Sequence, residues 1–147
     1  NLDARSAMSL ASYSAGIAFN RTSLGYVHAV SHQLGAYYKT PHGLANAIVL
    51  PHVLEFSKGA AEARLAQLAD VIGAGGSTPT AKAEGFITAV RTMSADIGIP
   101  KQLAALQRAD IPAIATRAMA EAHGLYPVPR YMTQSQCEAL LHDLLVA

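Results

Sequence analysis

The chain has 147 residues, of which 51% are apolar and 14% charged, and its net charge is +1. This composition excludes an intrinsically disordered chain, because enough apolar surface is available to offset the entropy that folding removes. The eleven Lys and Arg residues are nearly balanced by ten Asp and Glu and form no cluster, which argues against a nucleic-acid partner or an acidic membrane partner.

The most apolar segment, residues 44–56, contains Asn46 and Pro51. It is shorter than the roughly 20 apolar residues of a membrane span. A single cysteine, Cys137, cannot form an internal disulfide or a zinc site built from cysteines, which favours a reducing compartment. We therefore expect a soluble, cytoplasmic globular domain.

An all-α fold is predicted, since alanine is abundant, tryptophan is absent and no segment alternates convincingly as a strand. Asp3, Thr78 with Pro79, Asp110 and a capping box from Thr133 to Gln136 mark helix starts. Pro51 is expected to kink or split the helix that contains it. We predict one helical bundle over residues 1–147, with helices at 3–19, 26–37, 43–58, 60–72, 79–98 and 111–122, a short helical piece after 101, an irregular stretch at 123–132 and a last helix from 133.

Four of the six histidines fall within 25 residues: His28, His32, His42 and His52. His28 and His32 are four residues apart and share one face of a helix. His42 follows a proline just beyond the predicted end of that helix, where the chain can fold back and bring a third imidazole to the same region. Neutral imidazoles bind Fe, Zn, Ni or Cu well, so these residues are candidates for a metal site.

Ordinary structural roles compete with the metal interpretation. A histidine pair on a helix is often a surface pair or two hydrogen-bonded polar groups, and His52 and His142 are expected to be packing or surface residues. Cys137, beside leucines, is expected to be a buried small hydrophobe. Asn46 lies in an otherwise apolar helix, and a polar group there needs hydrogen-bonding partners.

The run GYVHAVSHQLGAYYKTPHGLANAIVLP, residues 25–51, strongly resembles the signature of iron-containing (group III) alcohol dehydrogenases. Within that family the run is most similar to the branch of lactaldehyde reductases and propanediol dehydrogenases. The resemblance extends over most of the chain, through residues 15–19, 98–100, 110–112 and 129–130.

The resemblance implies roles for individual residues. His28 and His42 match two of the family's metal ligands, and His32 matches a nearby histidine that is not a ligand and lies beside the nicotinamide ring and the substrate. Phe19 matches a position that lines the substrate pocket, and His123 falls close to a cysteine position at the mouth of that pocket. One departure is Val128, where an asparagine usually precedes Pro-Arg.

The family's other two metal ligands, an aspartate and a histidine on an earlier helix, have no counterpart in this sequence. Its N-terminal α/β nucleotide-binding domain has none either, and the chain begins at Asn1 rather than at a methionine. We therefore expect an incomplete C-terminal helical, metal-binding domain that is nearly inactive alone. Whether the first half was removed, lies on another chain or is otherwise missing stays open.

As part of a complete enzyme, the chain is expected to support hydride transfer between a small alcohol or aldehyde and NAD or NADP. The resemblance implies Fe²⁺, although the same ligand set accepts Zn²⁺, and it implies a homodimer. Two alternatives stay open at this stage. One is a non-catalytic helical module that binds metal or a partner, and the other is a relative specialised for glycerol or another polyol.

Overall fold

The chain forms a bundle of helices in a computed structural model that describes residues 1–146. These residues contain no strand, which confirms the all-α prediction. In chain order the helices are α1 (Leu2–Thr22), α2 (Tyr26–Tyr38), α3 (His42–Ile72), α4 (Pro79–Asp96), α5 (Ile111–Leu125) and α6 (Gln134–Asp143), and a single 3-10 turn at Arg108–Asp110 precedes α5.

The main hydrophobic core lies between α2, the first half of α3, α5 and α6. On α2, Ala29, Val30 and Leu34 are completely buried, and they share this core with Val49 of α3. Small side chains let α2 approach both α3 and α5 closely, and α2 contacts both helices. The residues of α2 beside this buried face, including His28 and His32, are therefore held in fixed places.

A second, smaller core joins the other half of α3 to α4. Leu65 of α3 packs there with Ala83 and Ile87 of α4. The loop before α4 fits closely against that helix, since a Cβ built on Gly85 would lie 2.9 Å from the carbonyl oxygen of Gly75. α3 therefore packs against different neighbours at its two ends.

Pro51 does not split the helix, so that alternative of the prediction is wrong: α3 continues through Pro51 and on to Ile72 as one helix. The two helices predicted at 43–58 and 60–72 are parts of it. An interior proline costs a helix about 3 kcal/mol or more. Pro51 itself is buried, and burial of α3 in both cores offsets that cost.

The first helix also differs from the prediction. Asn1 caps it, with its side chain accepting from the backbone N–H of Ala4, so Asp3 lies inside the first turn. The helix runs to Thr22, three residues beyond the predicted end. Its large apolar side chains, among them Leu10 and Ile17, are exposed. None of the helices in residues 1–146 combines the length and the apolarity that a membrane crossing needs.

The segment after Lys101 is not the predicted short helix, because residues 101–107 have no regular structure and only a 3-10 turn follows. Asp110 occupies the cap position of α5 but makes no capping hydrogen bond with its side chain. That carboxylate instead accepts a hydrogen bond of 2.6 Å from the Tyr38 hydroxyl. Asp110 thus joins the end of α2 to the start of α5.

The capping box predicted at the start of α6 is confirmed. The Thr133 hydroxyl accepts from the backbone N–H of Gln136, and the Gln136 side chain accepts from the backbone N–H of Thr133. Both bonds satisfy donors that a helix start would otherwise leave free.

We expect Thr133→Ala to lower the free energy of unfolding by about 1 kcal/mol, since the substitution removes the cap acceptor. Urea titration followed by circular dichroism measures this change. Thr22→Ala is the matched control, because the Thr22 hydroxyl is exposed and bonds only within its own helix. Equal stability losses in the two variants would contradict the capping assignment.

Cys137 is fully buried, in agreement with the sequence prediction. Burial raises the pKa of its thiol to about 12, and nearby Glu138 acts in the same direction. The thiolate, which is the reactive form, is therefore scarce at neutral pH.

We expect Cys137 in the folded protein to react with iodoacetamide at pH 8.5 at least about a hundredfold more slowly than a free cysteine, because so little thiolate is present. Mass spectrometry of timed samples measures the rate, and the same protein in urea is the control. A rate equal to that of the urea sample would contradict the buried placement.

Candidate metal and proton-transfer site

Three of the histidines meet between α2 and the start of α3. His28 and His32 lie one turn apart on α2, and His42 is the first residue of α3. Between the helices the chain turns at Lys39, whose φ of 55° is left-handed, and then at Pro41. The ring centroids of the three histidines are 5.3 to 5.8 Å apart. The predicted fold-back is thus present.

His28 and His42 direct the same ring atom toward one point. The Asn46 amide nitrogen Nδ2 lies 2.9 Å from Nε2 of His42 and 3.4 Å from Nε2 of His28. An amide NH2 group only donates, so each Nε2 accepts and carries a lone pair directed at the amide. These two imidazoles supply the partners that the NH2 group of Asn46 was expected to need.

The donor set fits part of a metal site. Two neutral imidazole nitrogens that converge on one point match two positions around iron or zinc. The Oδ1 atom of Asn46 is buried and has no hydrogen-bond partner within the described residues. In the same part of the chain, no three His, Cys, Asp or Glu side chains are arranged to hold one ion. The pair therefore fits as half of a coordination shell.

His28 is tuned toward its neutral form. Burial lowers the pKa of His28 below its ordinary value, and His42 and His32 lower it further, while the Glu121 carboxylate opposes them. The neutral form is the one that ligates metals. The half-buried position of His28 therefore suits a metal ligand.

His32 has different partners. Its Nδ1 lies 2.7 Å from Oε1 of Glu121 on α5. The same oxygen accepts a hydrogen bond of 2.8 Å from the Tyr126 hydroxyl. The His32 ring is stacked on that of His42, with an interplanar angle of 21°. His32 thus stands beside the His28–His42 pair and is held from the opposite side by a carboxylate.

Phe19 and His28 border the same cavity, whose volume is about 460 Å³. Their ring centroids are 6.4 Å apart, and Tyr26 and Asn46 also line the cavity. The walls are mainly apolar, contributed by leucines and valines of α2 and α3. The cavity is large enough for a small organic molecule.

His123 is linked to this cavity through Tyr26. The Tyr26 hydroxyl accepts from the backbone N–H of Met132 at 2.8 Å and shares a hydrogen bond of 2.7 Å with Nε2 of His123. The His123 ring also packs edge-on against Tyr131. The structure therefore places His123 behind a buried tyrosine that lines the cavity.

We expect Tyr26→Phe to lower the free energy of unfolding by about 1 to 3 kcal/mol, because the buried N–H of Met132 would lose its acceptor. Urea unfolding measures this loss. His123→Ala is the comparison, since it removes only the exposed partner of the same hydroxyl and should cost less. A larger loss in His123→Ala than in Tyr26→Phe would contradict this assignment.

A second depression, about 970 Å³ in volume, lies between α3, α4 and α6 and contains His52. Burial lowers the pKa of His52, and Arg91 lowers it as well, while Asp143 opposes them. His142 is exposed and lies 3.2 Å from an Arg108 guanidinium nitrogen. The half-buried His52 and the exposed His142 thus have the packing and surface placements that the sequence predicted.

Glu121 was missed by the sequence analysis. It is the only charged residue between Ala118 and Leu125, and an acidic side chain in so apolar a stretch was the available signal. Its partner His32 is 89 residues away in sequence. No local pattern connects two such positions.

Comparison with protein families supplies an independent view. The model of the C-terminal domain of the Fe-containing alcohol dehydrogenase family matches residues 1–145. A 1,3-propanediol dehydrogenase of Klebsiella pneumoniae is 40% identical in an alignment of length 147, which covers 97% of this chain and 38% of that protein. Lactaldehyde reductase of Escherichia coli K12 is 39% identical in an alignment of length 122, which covers 80% of this chain and 32% of that protein.

Known structures agree with the fold. A crystal structure of 1,3-propanediol oxidoreductase superimposes with a TM-score of 0.92 at 38% identity, covering 98% of this chain and 38% of that one. An alcohol dehydrogenase from Oenococcus oeni gives a TM-score of 0.81 at 34% identity, covering 88% of this chain and 35% of that one. The chain thus spans less than two fifths of the length of these relatives.

Proposed function

Since the chain belongs to the iron-containing alcohol dehydrogenase family, we propose that it provides the helical, metal-binding part of an enzyme that moves a hydride between a small alcohol or aldehyde and NAD or NADP. The observation that carries this proposal is the convergence of two imidazole lone pairs, those of His28 and His42, on one amide nitrogen. Among the relatives, the names 1,3-propanediol dehydrogenase and lactaldehyde reductase favour short, hydroxylated substrates.

His28 and His42 would hold a divalent ion, Fe²⁺ by family membership, although the same nitrogen donors accept Zn²⁺. When bound, the ion supplies Lewis-acid polarisation of an alcohol or carbonyl oxygen. The Asn46 amide faces Nε2 of both imidazoles, so the two nitrogens converge on one point, as ligation by both requires. Its NH2 group must rotate away when both lone pairs are used.

The cavity beside this pair is the proposed place for the substrate. Phe19 borders one side of it and supplies an apolar wall. His32 is proposed to accept the hydroxyl proton during oxidation and to return it during reduction, a task that suits imidazole at neutral pH. Hydride chemistry belongs to the nicotinamide, and the protein supplies position and environment.

Two imidazoles form an open and weak site, so we propose that the remaining ligands lie in the part of the relatives that this chain does not cover. The nucleotide-binding domain is proposed to lie in the same uncovered part. Residues 1–147 alone are then expected to be nearly inactive. We also propose that the complete enzyme is a homodimer in the cytoplasm.

The test uses the protein expressed from its whole gene, with metal content measured by mass spectrometry and alcohol oxidation followed through the reduced nicotinamide. His28→Ala and His42→Ala are each expected to lose most of the metal and, with it, the turnover. His32→Ala should keep the metal but lose about 10²-fold in kcat, the usual contribution of a general base. His52→Ala, which removes an imidazole from the same helix as His42, is the matched control.

Full metal content and turnover in His28→Ala or His42→Ala would refute the ligand assignment. A protein that retains metal but oxidises no alcohol with NAD or NADP would instead favour a helical module without catalytic activity. Loss of metal in His32→Ala would make His32 a ligand and would remove its proposed proton role.

A further inference from the structure

We propose that Glu121 is the positioning residue of His32: its carboxylate holds the proton on Nδ1 and so presents Nε2 as the nitrogen that takes the substrate proton. The inference deepens the proposed function and rests on it for the role of Nε2. The hydrogen-bond arrangement itself can be tested without any activity.

The Glu121 carboxylate is held by three donors. Its Oε1 atom accepts from Nδ1 of His32 at 2.7 Å and from the Tyr126 hydroxyl at 2.8 Å. Its Oε2 atom lies 3.3 Å from the Gln33 side-chain nitrogen. The side chain of Glu121 is 20% exposed and that of His32 is 38% exposed. A half-buried carboxylate with both oxygens engaged has little freedom to turn.

This contact selects one tautomer of His32. An ionised carboxylate only accepts hydrogen bonds, so a partner at 2.7 Å must donate, and Nδ1 therefore carries the proton. A hydrogen bond to a charged acceptor is about twice as strong as one between neutral groups. With Nδ1 protonated, Nε2 of the neutral ring keeps its lone pair and is the basic atom.

The hydrogen-bond partner of His32 also differs from that of His28 and His42. His28 and His42 direct Nε2 at the Asn46 amide, whereas His32 is stacked on His42 and has its own carboxylate. A carboxylate behind a histidine fixes the tautomer and the orientation of the ring, as it does in many metal sites. His32 is thus held with Nε2 as the ring nitrogen that can accept a proton.

A purely structural role must be distinguished from positioning, because the same contact joins α2 to α5. The experiment therefore combines kinetics with the tautomer of His32, in the protein expressed from its whole gene. Glu121→Gln keeps the size of the side chain without its charge, and Glu121→Ala leaves space for a small carboxylate. Glu138→Gln is the matched control, since Glu138 is a half-buried glutamate whose carboxylate accepts a hydrogen bond from the Gln134 side chain.

Three measurements decide the proposal. Long-range ¹⁵N–¹H spectra of protein labelled in histidine, with His32 assigned through His32→Gln, show which ring nitrogen carries the proton. Steady-state kinetics of the metal-replete enzyme separate kcat from KM. Added formate tests whether a carboxylate in the vacated space restores the activity of Glu121→Ala.

In the unsubstituted protein we expect the His32 proton on Nδ1, and in Glu121→Ala a shift of that proton toward Nε2. Both Glu121 variants should lose about 10- to 100-fold in kcat, the usual cost of removing such a partner, with KM changed less than about twofold. Formate should restore part of the loss in Glu121→Ala and none in His32→Ala. Glu138→Gln should behave like the unsubstituted enzyme.

Three results would overturn the proposal. The first is a His32 ring protonated at Nε2 and bare at Nδ1 in the unsubstituted protein. The second is kcat within twofold of the unsubstituted enzyme in both Glu121 variants. The third is a loss of kcat that formate leaves unchanged while His32 stays protonated at Nδ1, which would mean that Glu121 acts only by joining two helices. Absence of alcohol oxidation in the unsubstituted enzyme would refute the proposed function, and the spectra would still decide the role of Glu121.

Discussion

Burial of α2 between α3 and α5 is the constraint on which the site depends. Ala29, Val30 and Leu34 have no exposed surface, so the helix cannot rotate about its axis without exposing apolar side chains or creating voids. This packing fixes the direction in which His28 and His32 project. The short bend at Lys39 and Pro41 then brings His42 and Asn46 to the same place. The positions of the site histidines on α2 are therefore fixed by the buried apolar residues beside them.

The packing of α2 also gives His28 and His32 different surroundings. His28 lies toward α3, where burial and the neighbouring imidazoles lower its pKa and its Nε2 atom faces the Asn46 amide. His32, one turn further along α2, lies toward α5 and contacts a carboxylate. One helix thus carries two neighbouring imidazoles with different hydrogen-bond partners, because they lie one turn apart and different helices supply those partners.

Much of this could be predicted from the sequence, because the informative signals are local. Proline and glycine punctuation, the capping box at Thr133 and the four-residue spacing of His28 and His32 depend on neighbours within a few residues. The need of Asn46 for partners followed from its apolar surroundings. The resemblance of residues 25–51 to a known family then implied roles for individual histidines, and the family itself is confirmed by comparison.

The features that could not be predicted from the sequence depend on long-range contacts. The effect of Pro51 on α3 is decided by packing in two separate cores, and a helix-breaking tendency carries no information about that packing. Glu121 and Tyr26 acquire their partners across 89 and 97 residues, so their importance is invisible to periodicity. The exposed apolar side chains of α1 show the same limit, because a helical pattern does not reveal what surrounds the helix.

The spacing of these contacts along the chain has a consequence for assembly. His28 and Asn46 are 18 residues apart and belong to adjacent helices, whereas His32 and Glu121 are separated by 89. Closing the longer loop costs about 1.4 kcal/mol more chain entropy on the logarithmic scaling of loop closure. The imidazole pair can therefore form within a local helical hairpin, while the carboxylate arrives only when α5 docks.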